Sequence, residues 1–509
     1  MEIFQPEAGL TESETDCDLI DQLLRDRSLI IASNRGPVKF QKNEHGETES
    51  KRGRGGLVTA LTGLASLTEA HWIACADTDE DRQWRSGSVP LEGSDRSIDV
   101  QFLSPDAAAY ESYYDGIANP LLWFLQHSML DITRTPSITH KTWEDWKNGY
   151  VAVNALFADA IARQVRASEK PSLVMLQDYH LYLTPRLLRR NLPFRSSYTL
   201  VHFIHIPWPG AEDWGMLPPK MRTAILDGLC AVDLLGFQTR EDAMNFLRTC
   251  ETYLPRAYVR FKHGRIWYRN HMTYVRDFPI SIDVEGLKKL AESPEVQGYR
   301  QEFMDAFAHK QMILRSDRIE PSKNIVRGFE AFDDMLERYP EHKEKVQFLV
   351  LLVPSRLEMD KYQDYLAELM AAAGKINVRY GNSQWEPVRI LTGENYPRAV
   401  AAMTLYDVLL VNSLADGMNL VAKEGPVVNQ RDGVLVLSER TGAYQQLEPG
   451  ALVIPPLDVF ATAEAMHQAL VMLQPERQEN AARLRSLVED EDIVDWLCLQ
   501  LEAISVLGL

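Results

Sequence analysis

The amino-acid sequence predicts an α/β protein made of two doubly wound parallel sheets in tandem. Short apolar runs rich in β-branched residues alternate with longer helical patterns, as they do in chains of βαβ units. The rhythm pauses around Phe278-Pro-Ile-Ser-Ile-Asp283 and then begins again. The 509 residues are too many for one ordinary core and suit two domains of roughly 200 to 250 residues.

In the first half the runs predict strands at Leu29–Ala32, Leu173–Leu176, Leu200–Ile204 and Val232–Phe237, closed by a strand over Tyr274–Ile282. In the second half they fall at Met312–Leu314, Phe348–Val353, Val408–Val411, Val434–Leu437 and Leu452–Ile454. A helix over Gln297–Ala308 opens that half, and another spans Asn324–Tyr339. The latter carries Ile325, Phe329, Phe332 and Met335 at core-facing spacing and is stopped by Pro340. The chain parses into a mobile tail (1–27), a first domain (28–286), a second domain (287–480) and a C-terminal segment (481–509). Within that last segment Ile493, Trp496, Leu497 and Leu501 mark an amphipathic helix that must dock on something.

Composition excludes several classes. A net charge of −18 argues against a general nucleic-acid or anionic-membrane surface. The longest apolar run, Phe348–Val353, is far too short for a membrane span. Five scattered cysteines without CxxC or Cys/His spacing fit a reducing compartment and give no zinc signal. The acidic N-terminus lacks the features of a secretory or transit peptide, so a cytoplasmic protein is expected.

Ligands of doubly wound sheets sit beyond the carboxyl ends of strands, so the strand-to-helix junctions are the places to search. The first junction is Ser33-Asn-Arg35-Gly36-Pro37, followed by Arg52-Gly-Arg-Gly-Gly56-Leu57 before a helix. Bare amides there suit a phosphate, although a plain Gly-rich turn reads as well. The second junction ends in Gln177-Asp178-Tyr179-His180. Asp178 could accept from a sugar hydroxyl or cap the next helix. The third delivers His205 into a stiff Pro207-Trp208-Pro209 exit. The fourth runs Arg315, Asp317, Arg318, then Pro321-Ser-Lys323-Asn324. Arg318 and Lys323 would flank a loop that opens a helix, a setting for a departing diphosphate, with Arg356 as a third cation on the same sheet edge. In the fifth, Asp416-Gly-Met-Asn-Leu420-Val421-Ala-Lys-Glu424, a loop turns into a helix and Glu424 could take paired ribose hydroxyls. Aromatic residues gather at Tyr113-Tyr114, Trp123, Trp208 and Trp214, either as sugar platforms or as core.

The ordered strings SNRGP, GRGGL, YYDGIANPLLW, QDYHL, HIPWP, LLGFQT, DRIEPSKN, PSR and DGMNLVAKE, from about residue 28 to 475, resemble the trehalose-6-phosphate synthase family of retaining glycosyltransferases. The resemblance implies a GT-B fold, with two Rossmann-like domains facing across a cleft and a final helix crossing back to the first. It implies transfer of glucose from a nucleotide-diphosphate glucose, typically UDP-glucose, to glucose 6-phosphate, forming trehalose 6-phosphate. By motif, Arg318 and Lys323 correspond to the diphosphate clamp, Glu424 to the ribose acceptor with the backbone of Leu420 and Val421, and Gly56 to the glycine that closes on the diphosphate. Asp416 and His205 correspond to donor-sugar contacts. Arg35, Tyr114, Trp123 and Arg356 correspond to the acceptor-phosphate pocket, and Asp178 to a carboxylate near the acceptor hydroxyl. The catalytic set so implied is Asp178, His205, Arg318, Lys323 and Asp416. No cofactor and no metal is expected, nor a nucleic-acid or membrane partner. A homo-oligomer is left open, and a separate phosphatase is expected to act on the product.

DRIEPSKN, where many members have RLDYSKG, and HIPWPGAEDW resemble a side branch that includes the pseudo-glycosyltransferase making validoxylamine 7'-phosphate. The alternatives are therefore a synthase using glycerol 3-phosphate or a cyclitol phosphate, and a non-catalytic regulator that binds sugar phosphate.

Overall fold

The computed structural model describes residues 24–43, 46–52, 61, 68–90, 97–192, 197–307, 309–356 and 359–508. The chain divides into two compact units, one of residues 1–279 with 494–509 and one of residues 280–493. Both carry a mainly parallel sheet with helices between successive strands.

The first unit contains β1 (Ser28–Ala32), a hairpin of β2 (Val38–Lys42) and β3 (Thr48–Arg52), then β4 (Ala70–Cys75), β5 (Ser86–Pro90) and β6 (Ser97–Leu103). It continues with β7 (Ser172–Gln177), β8 (Tyr198–Ile204), β9 (Leu234–Phe237), β10 (Tyr258–Arg260), β11 (Arg265–Tyr268) and β12 (His271–Asp277). Ten of these form one sheet in the order β10-β11-β12-β9-β8-β7-β1-β4-β6-β5. From β12 to β6 the pairing is parallel, and β5, β10 and β11 are antiparallel additions. Succession moves outward from β1 to β4 and β6, then returns to the other side of β1 with β7. The topological switch point of this sheet therefore lies between β1 and β7.

The second unit contains β13 (Gln311–Arg318), β14 (Val346–Val353), β15 (Val388–Thr392), β16 (Val408–Val411), β17 (Val434–Ser438) and β18 (Leu452–Ile454). Their order, β15-β14-β13-β16-β17-β18, is the 3-2-1-4-5-6 arrangement of a Rossmann sheet, with its switch point between β13 and β16. Strands β16 and β17 are buried along their whole length, as expected of a parallel sheet covered on both faces. The helix Ile325–Arg338 buries Ile325, Phe329, Phe332 and Met335 as their spacing predicts, and the rings of Phe329 and Phe332 lie 5.7 and 5.2 Å from Phe348.

Several boundaries differ from the sequence reading. The strand expected over Tyr274–Ile282 ends at Asp277, because its parallel partner β9 ends at Phe237 and offers nothing further to pair with. The strand expected from Met312 to Leu314 runs on to Arg318, since β14 supplies partners as far as Val353. Arg315, Asp317 and Arg318 are thus strand residues, and the loop that Arg318 was expected to flank starts after it. Tyr113-Tyr114 and Trp123 lie on one π-helical segment, Ser112–Trp123, that periodicity does not reveal. Trp208 and Trp214 are core, stacked at 4.1 Å and fully buried.

The C-terminal helix, Ile493–Val506, returns from Val494 onward to the first unit. There the Trp496 indole donates to the Phe278 carbonyl at 3.1 Å and meets Phe203 edge-on at 5.2 Å. No helix of the described residues is long and apolar enough to cross a membrane.

Candidate functional site

In the first unit the carboxyl ends of adjacent strands deliver Arg35 after β1, Asp178 after β7, His205 after β8 and Gln238 after β9. Asp178 has φ 68 and ψ 178, a region that is almost wholly glycine territory, and its side chain does not cap the turn it begins. Its carboxylate accepts from the His205 amide at 3.2 Å, and its carbonyl accepts from the His202 ring at 2.9 Å. Of the two readings of Asp178, cap of the next helix or acceptor for a sugar hydroxyl, the first is removed, because the side chain makes no capping hydrogen bond.

The ring of His205 is held at both nitrogens. Nε2 lies 2.9 Å from Gln177 Oε1, and Nδ1 accepts from Gln238 at 3.3 Å. Burial, with His202 beside it, lowers the imidazole to about 3, so it is neutral. Sequence reasoning named neither glutamine, although both stand inside the quoted strings QDYHL and LLGFQT. Both immediately follow or end an apolar run, the signal used for Asp178.

His202 is buried and lowered to about 4 by burial, with its bond to the Asp178 carbonyl pulling the other way. A histidine whose folded value lies below its unfolded value stabilises the fold fully above about 6.5 and loses that contribution as pH falls toward the folded value. Stability is therefore expected to drop between about pH 6.5 and 4, His202 alone adding a slope that approaches ~1.4 kcal/mol per pH unit. Urea unfolding across that range should show the slope, and it should flatten in His202→Gln.

Tyr114 is half-buried and sandwiched between Tyr110 and His180, with near-parallel rings at 5.7 and 5.8 Å. Burial alone would lower the Arg35 guanidinium, but Tyr114, Asp77 and Tyr110 outweigh it and hold the group above its ordinary value. Arg35 and Tyr114 are therefore neighbours. Trp123 is buried, stacked on His127 at 4.0 Å. Gly56 and the whole string GRGGL lie outside the described residues.

In the second unit the switch point gathers the other set. Lys323, on the short 3-10 turn Pro321–Lys323 after β13, places Nζ 2.5 Å from Asp416 Oδ2 and 3.9 Å from Asp317 Oδ1. Burial by itself would lower the Lys323 ammonium, but Asp416 and Asp317 outweigh it and raise the group. Asp416 also accepts from Asn419 at 2.9 Å and Ser413 at 3.3 Å. Burial pushes the Asp317 carboxyl up, against the opposing pull of Arg315 and Lys323. Arg315, fully buried, donates to Asp317 at 2.9 Å and to the Lys323 carbonyl.

Arg318 is half-exposed and pairs at 3.0 Å with Glu320, whose side chain is buried. The same Glu320 oxygen accepts from Ser355 at 3.1 Å and lies 3.5 Å from Arg356 Nη1. Arg356, with φ 50, also donates to the Tyr362 hydroxyl at 2.7 Å. Glu320 thus ties two cations that the motifs had assigned to different ligands. It stands within DRIEPSKN, but nothing in the linear string says that it faces Ser355 and Arg356 on the next strand's exit.

The Asp416–Glu424 segment is strapped to residues 440–443: the Asp416 amide donates to Arg440, and the Gly442 and Ala443 amides donate to Asp416 and Met418. A Cβ on Gly442 would stand 1.9 Å from the Gly417 carbonyl, so only glycine permits this approach. Leu420 and Val421 begin the helix Val421–Val428, in whose first turn the Ala422 amide donates to Asn419 and the Lys423 amide to the Leu420 carbonyl. Glu424 accepts from the Tyr396 hydroxyl at 3.0 Å. Burial pushes its carboxyl up to about 7 against that hydrogen bond.

Lys323, Arg318, Asp416, Leu420, Val421 and Glu424 are therefore arrayed around one sheet edge. Arg356 belongs to this unit, whereas Arg35, Tyr114, Trp123, Asp178 and His205 belong to the first. Among the described residues one set has metal-ligand spacing, Glu341, His342 and His467, away from every motif above. Its two histidines already hydrogen-bond each other at 2.9 Å.

The model of glycosyltransferase family 20 matches residues 27–505. Among curated proteins, the chain is 31% identical to the UDP-forming alpha,alpha-trehalose-phosphate synthase A of Dictyostelium discoideum, over 95% of this chain and 63% of that protein. It is 32% identical to a probable UDP-forming synthase of Arabidopsis thaliana, over 88% of this chain and 53% of that one. The chain thus spans little more than half the length of these two relatives. The Schizosaccharomyces pombe synthase is 31% identical over 90% of this chain and 86% of its own length. Among solved structures, a trehalose-6-phosphate protein from E. coli bound with UDP-2-fluoro glucose has a TM-score of 0.79 at 27% identity, covering 94% of this chain and 98% of that one. A UDP-forming synthase from Burkholderia xenovorans in complex with glucose-6-phosphate has a TM-score of 0.79 at 25% identity, covering 94% and 100%. The fold is GT-B, as the resemblance implied. With a Rossmann-ordered second sheet, the motif residues at its switch point and a family match over almost the whole chain, the protein belongs to glycosyltransferase family 20.

Proposed function

We propose that this chain is a retaining glycosyltransferase that moves glucose from UDP-glucose to glucose 6-phosphate, releasing UDP and forming α,α-trehalose 6-phosphate. The observation that carries the donor half is the convergence of Arg318, Lys323 and Asp416 on the β13/β16 switch point. Support for the substrates comes from the relatives, which are UDP-forming synthases, and from the two solved structures holding UDP-2-fluoro glucose and glucose-6-phosphate.

In this reading Arg318 and Lys323 meet the negative charge that develops on the departing diphosphate. Leu420 and Val421 amides and the Glu424 carboxylate hold the nucleoside, and Gly56 closes on the diphosphate. Asp416 and His205 orient the donor sugar, with His205 neutral and steered by Gln177 and Gln238. Arg35, Tyr114, Trp123 and Arg356 receive the acceptor phosphate, and Asp178 stands by the acceptor hydroxyl. At the second unit's switch point Asp317, Glu320 and Asp416 are each engaged by a cation, which disfavours any of them as a covalent nucleophile. Retention by transfer on the leaving-group face agrees with this. Because two cationic side chains serve the diphosphate, no metal or cofactor is required, and turnover should survive chelation by EDTA. In the same reading the protein acts in the cytoplasm, where a phosphatase activity consumes its product.

The direct test incubates the protein with UDP-, GDP- or ADP-glucose against glucose 6-phosphate or glycerol 3-phosphate, and reads nucleotide release and product mass. Release with UDP-glucose and glucose 6-phosphate, with a trehalose 6-phosphate product, is expected. No acceptor-dependent release from any pair would refute the synthase reading.

Glu424 adds a pH signature. Ribose hydroxyls need the ionised carboxylate as acceptor, so UDP affinity should rise as pH climbs through about 7. The folded value lies above the unfolded one. The bare carboxyl therefore stabilises the fold below its unfolded value and loses that contribution as pH rises through about 7. Glu424→Gln is accordingly expected to be at least as stable as the parent above pH 7 and to bind UDP about tenfold more weakly there, without the pH dependence. Calorimetric UDP titrations at a series of pH values would show both.

A further inference from the structure

The sheet of the first unit ends in the antiparallel extension β12-β11-β10, separated from the β1/β7 switch point by β9 and β8. From Thr252 to Arg276 the chain has six cations, Arg256, Arg260, Lys262, Arg265, Arg269 and Arg276, and no Asp or Glu, in a protein whose acids outnumber its bases 72 to 54.

Register orders part of this segment into two rows. Tyr258 faces Trp267, which in turn faces Met272. In the next row Arg260 faces Arg265, which faces Tyr274. Tyr258 and Trp267 are 55% and 45% exposed, large values for aromatic rings side by side. Two arginines directly across a strand pair repel each other. Elsewhere in this unit Arg186, Arg189 and Arg269 are paired with Asp227 or Asp233, but among the described residues neither Arg260 nor Arg265 has a carboxylate partner. Arg265 Nε is in addition buried without a hydrogen-bond partner. Around them lies a pocket of about 350 Å³ lined by Tyr258, Arg260, His263, Arg265, Trp267 and Met272.

Charges on an edge strand can serve only to block strand addition, which would account for Arg260 on β10. It does not account for Arg265, which sits on the inner strand β11 with an unsatisfied donor. An anion between the two guanidinium groups would cancel their repulsion. Guanidinium forks match phosphate oxygens, and the adjoining aromatic row offers a flat apolar floor. The pocket volume is in the range of sites for small molecules, ~300 to 1,000 Å³.

We propose that this pocket is a second ligand site, outside the transfer machinery, for a small organophosphate. Its phosphate sits between Arg260 and Arg265, and its ring, whether sugar or base, lies on Trp267, since the Arg260 guanidinium already covers Tyr258 at 4.7 Å.

The test titrates the full chain by calorimetry with inorganic phosphate, ribose 5-phosphate and AMP, in the parent, in Arg260→Gln/Arg265→Gln and in Trp267→Ala. The parent is expected to bind one equivalent of a ring phosphate that the double variant binds at least about tenfold more weakly. Removing the arginine repulsion should leave the thermal midpoint of that variant unchanged or higher. Trp267→Ala should weaken ring phosphates while leaving inorganic phosphate unaffected. Preference for AMP assigns the base as the stacked ring, and preference for ribose 5-phosphate assigns the sugar. Superimposable isotherms for parent and double variant would overturn the site.

Discussion

Arg318→Ala is expected to lower turnover by about 10²- to 10³-fold while leaving cooperative unfolding intact. The large kinetic effect follows from the place of Arg318 at the carboxyl end of β13, on the switch point, where the leaving diphosphate would gain charge. The small structural effect follows from its exposure and from Glu320, which keeps Arg356 and Ser355 as partners when Arg318 is removed. Steady-state kinetics with thermal unfolding separates the two, and near-normal turnover would remove Arg318 from the clamp.

Lys323→Ala should behave differently, losing both activity and about 3–5 kcal/mol of stability. Its ammonium is buried between Asp416 and Asp317; truncation leaves Asp317 with Arg315 but takes from Asp416 the lysine charge 2.5 Å away, in a place that water does not freely reach. Pairing it with Asp416→Asn should restore part of the stability, because the second change removes the carboxylate that lost the lysine, and the two effects should be non-additive. Activity should stay lost in the double variant. Urea unfolding of the parent, both single variants and the double variant gives the coupling. A cost below ~1 kcal/mol for Lys323→Ala would mean that the pair is not the buried unit described here.

Much of the fold was legible because it rests on local patterns. The fully buried strands β1, β7, β16 and β17, each built on an apolar run, and the Ile325/Phe329/Phe332/Met335 stripe declare their burial in composition and spacing. Strands β10 and β11 escaped because their outward residues are Tyr, Arg and Trp, so no clean apolar run marks them. The segment Ser112–Trp123 escaped because a π-helix shifts the spacing on which helical patterns are recognised.

The candidate site divides in the same way. Motif residues at strand ends could be named from the chain alone, since an apolar run followed by Asp, His or Arg is a local signal. Their partners could not. Lys323 and Asp416 are 93 positions apart and meet only because β16 lies beside β13. Glu320 faces Arg356 because β14 lies on the other side of β13. The His205 ring is held at both nitrogens because Gln177 and Gln238 arrive from the strands on either side of β8, and it is neutral because that packing buries it beside His202.

By itself, then, the sequence determined that two parallel α/β sheets would form and which residues would stand at their strand ends, because apolar periodicity and turn chemistry act over a few residues. Strand order was decided by tertiary structure alone, and with it which charges share a low-dielectric pocket, which histidine is held neutral and which carboxylates are already engaged. Those properties are energies between groups far apart in the chain, and no local pattern contains them.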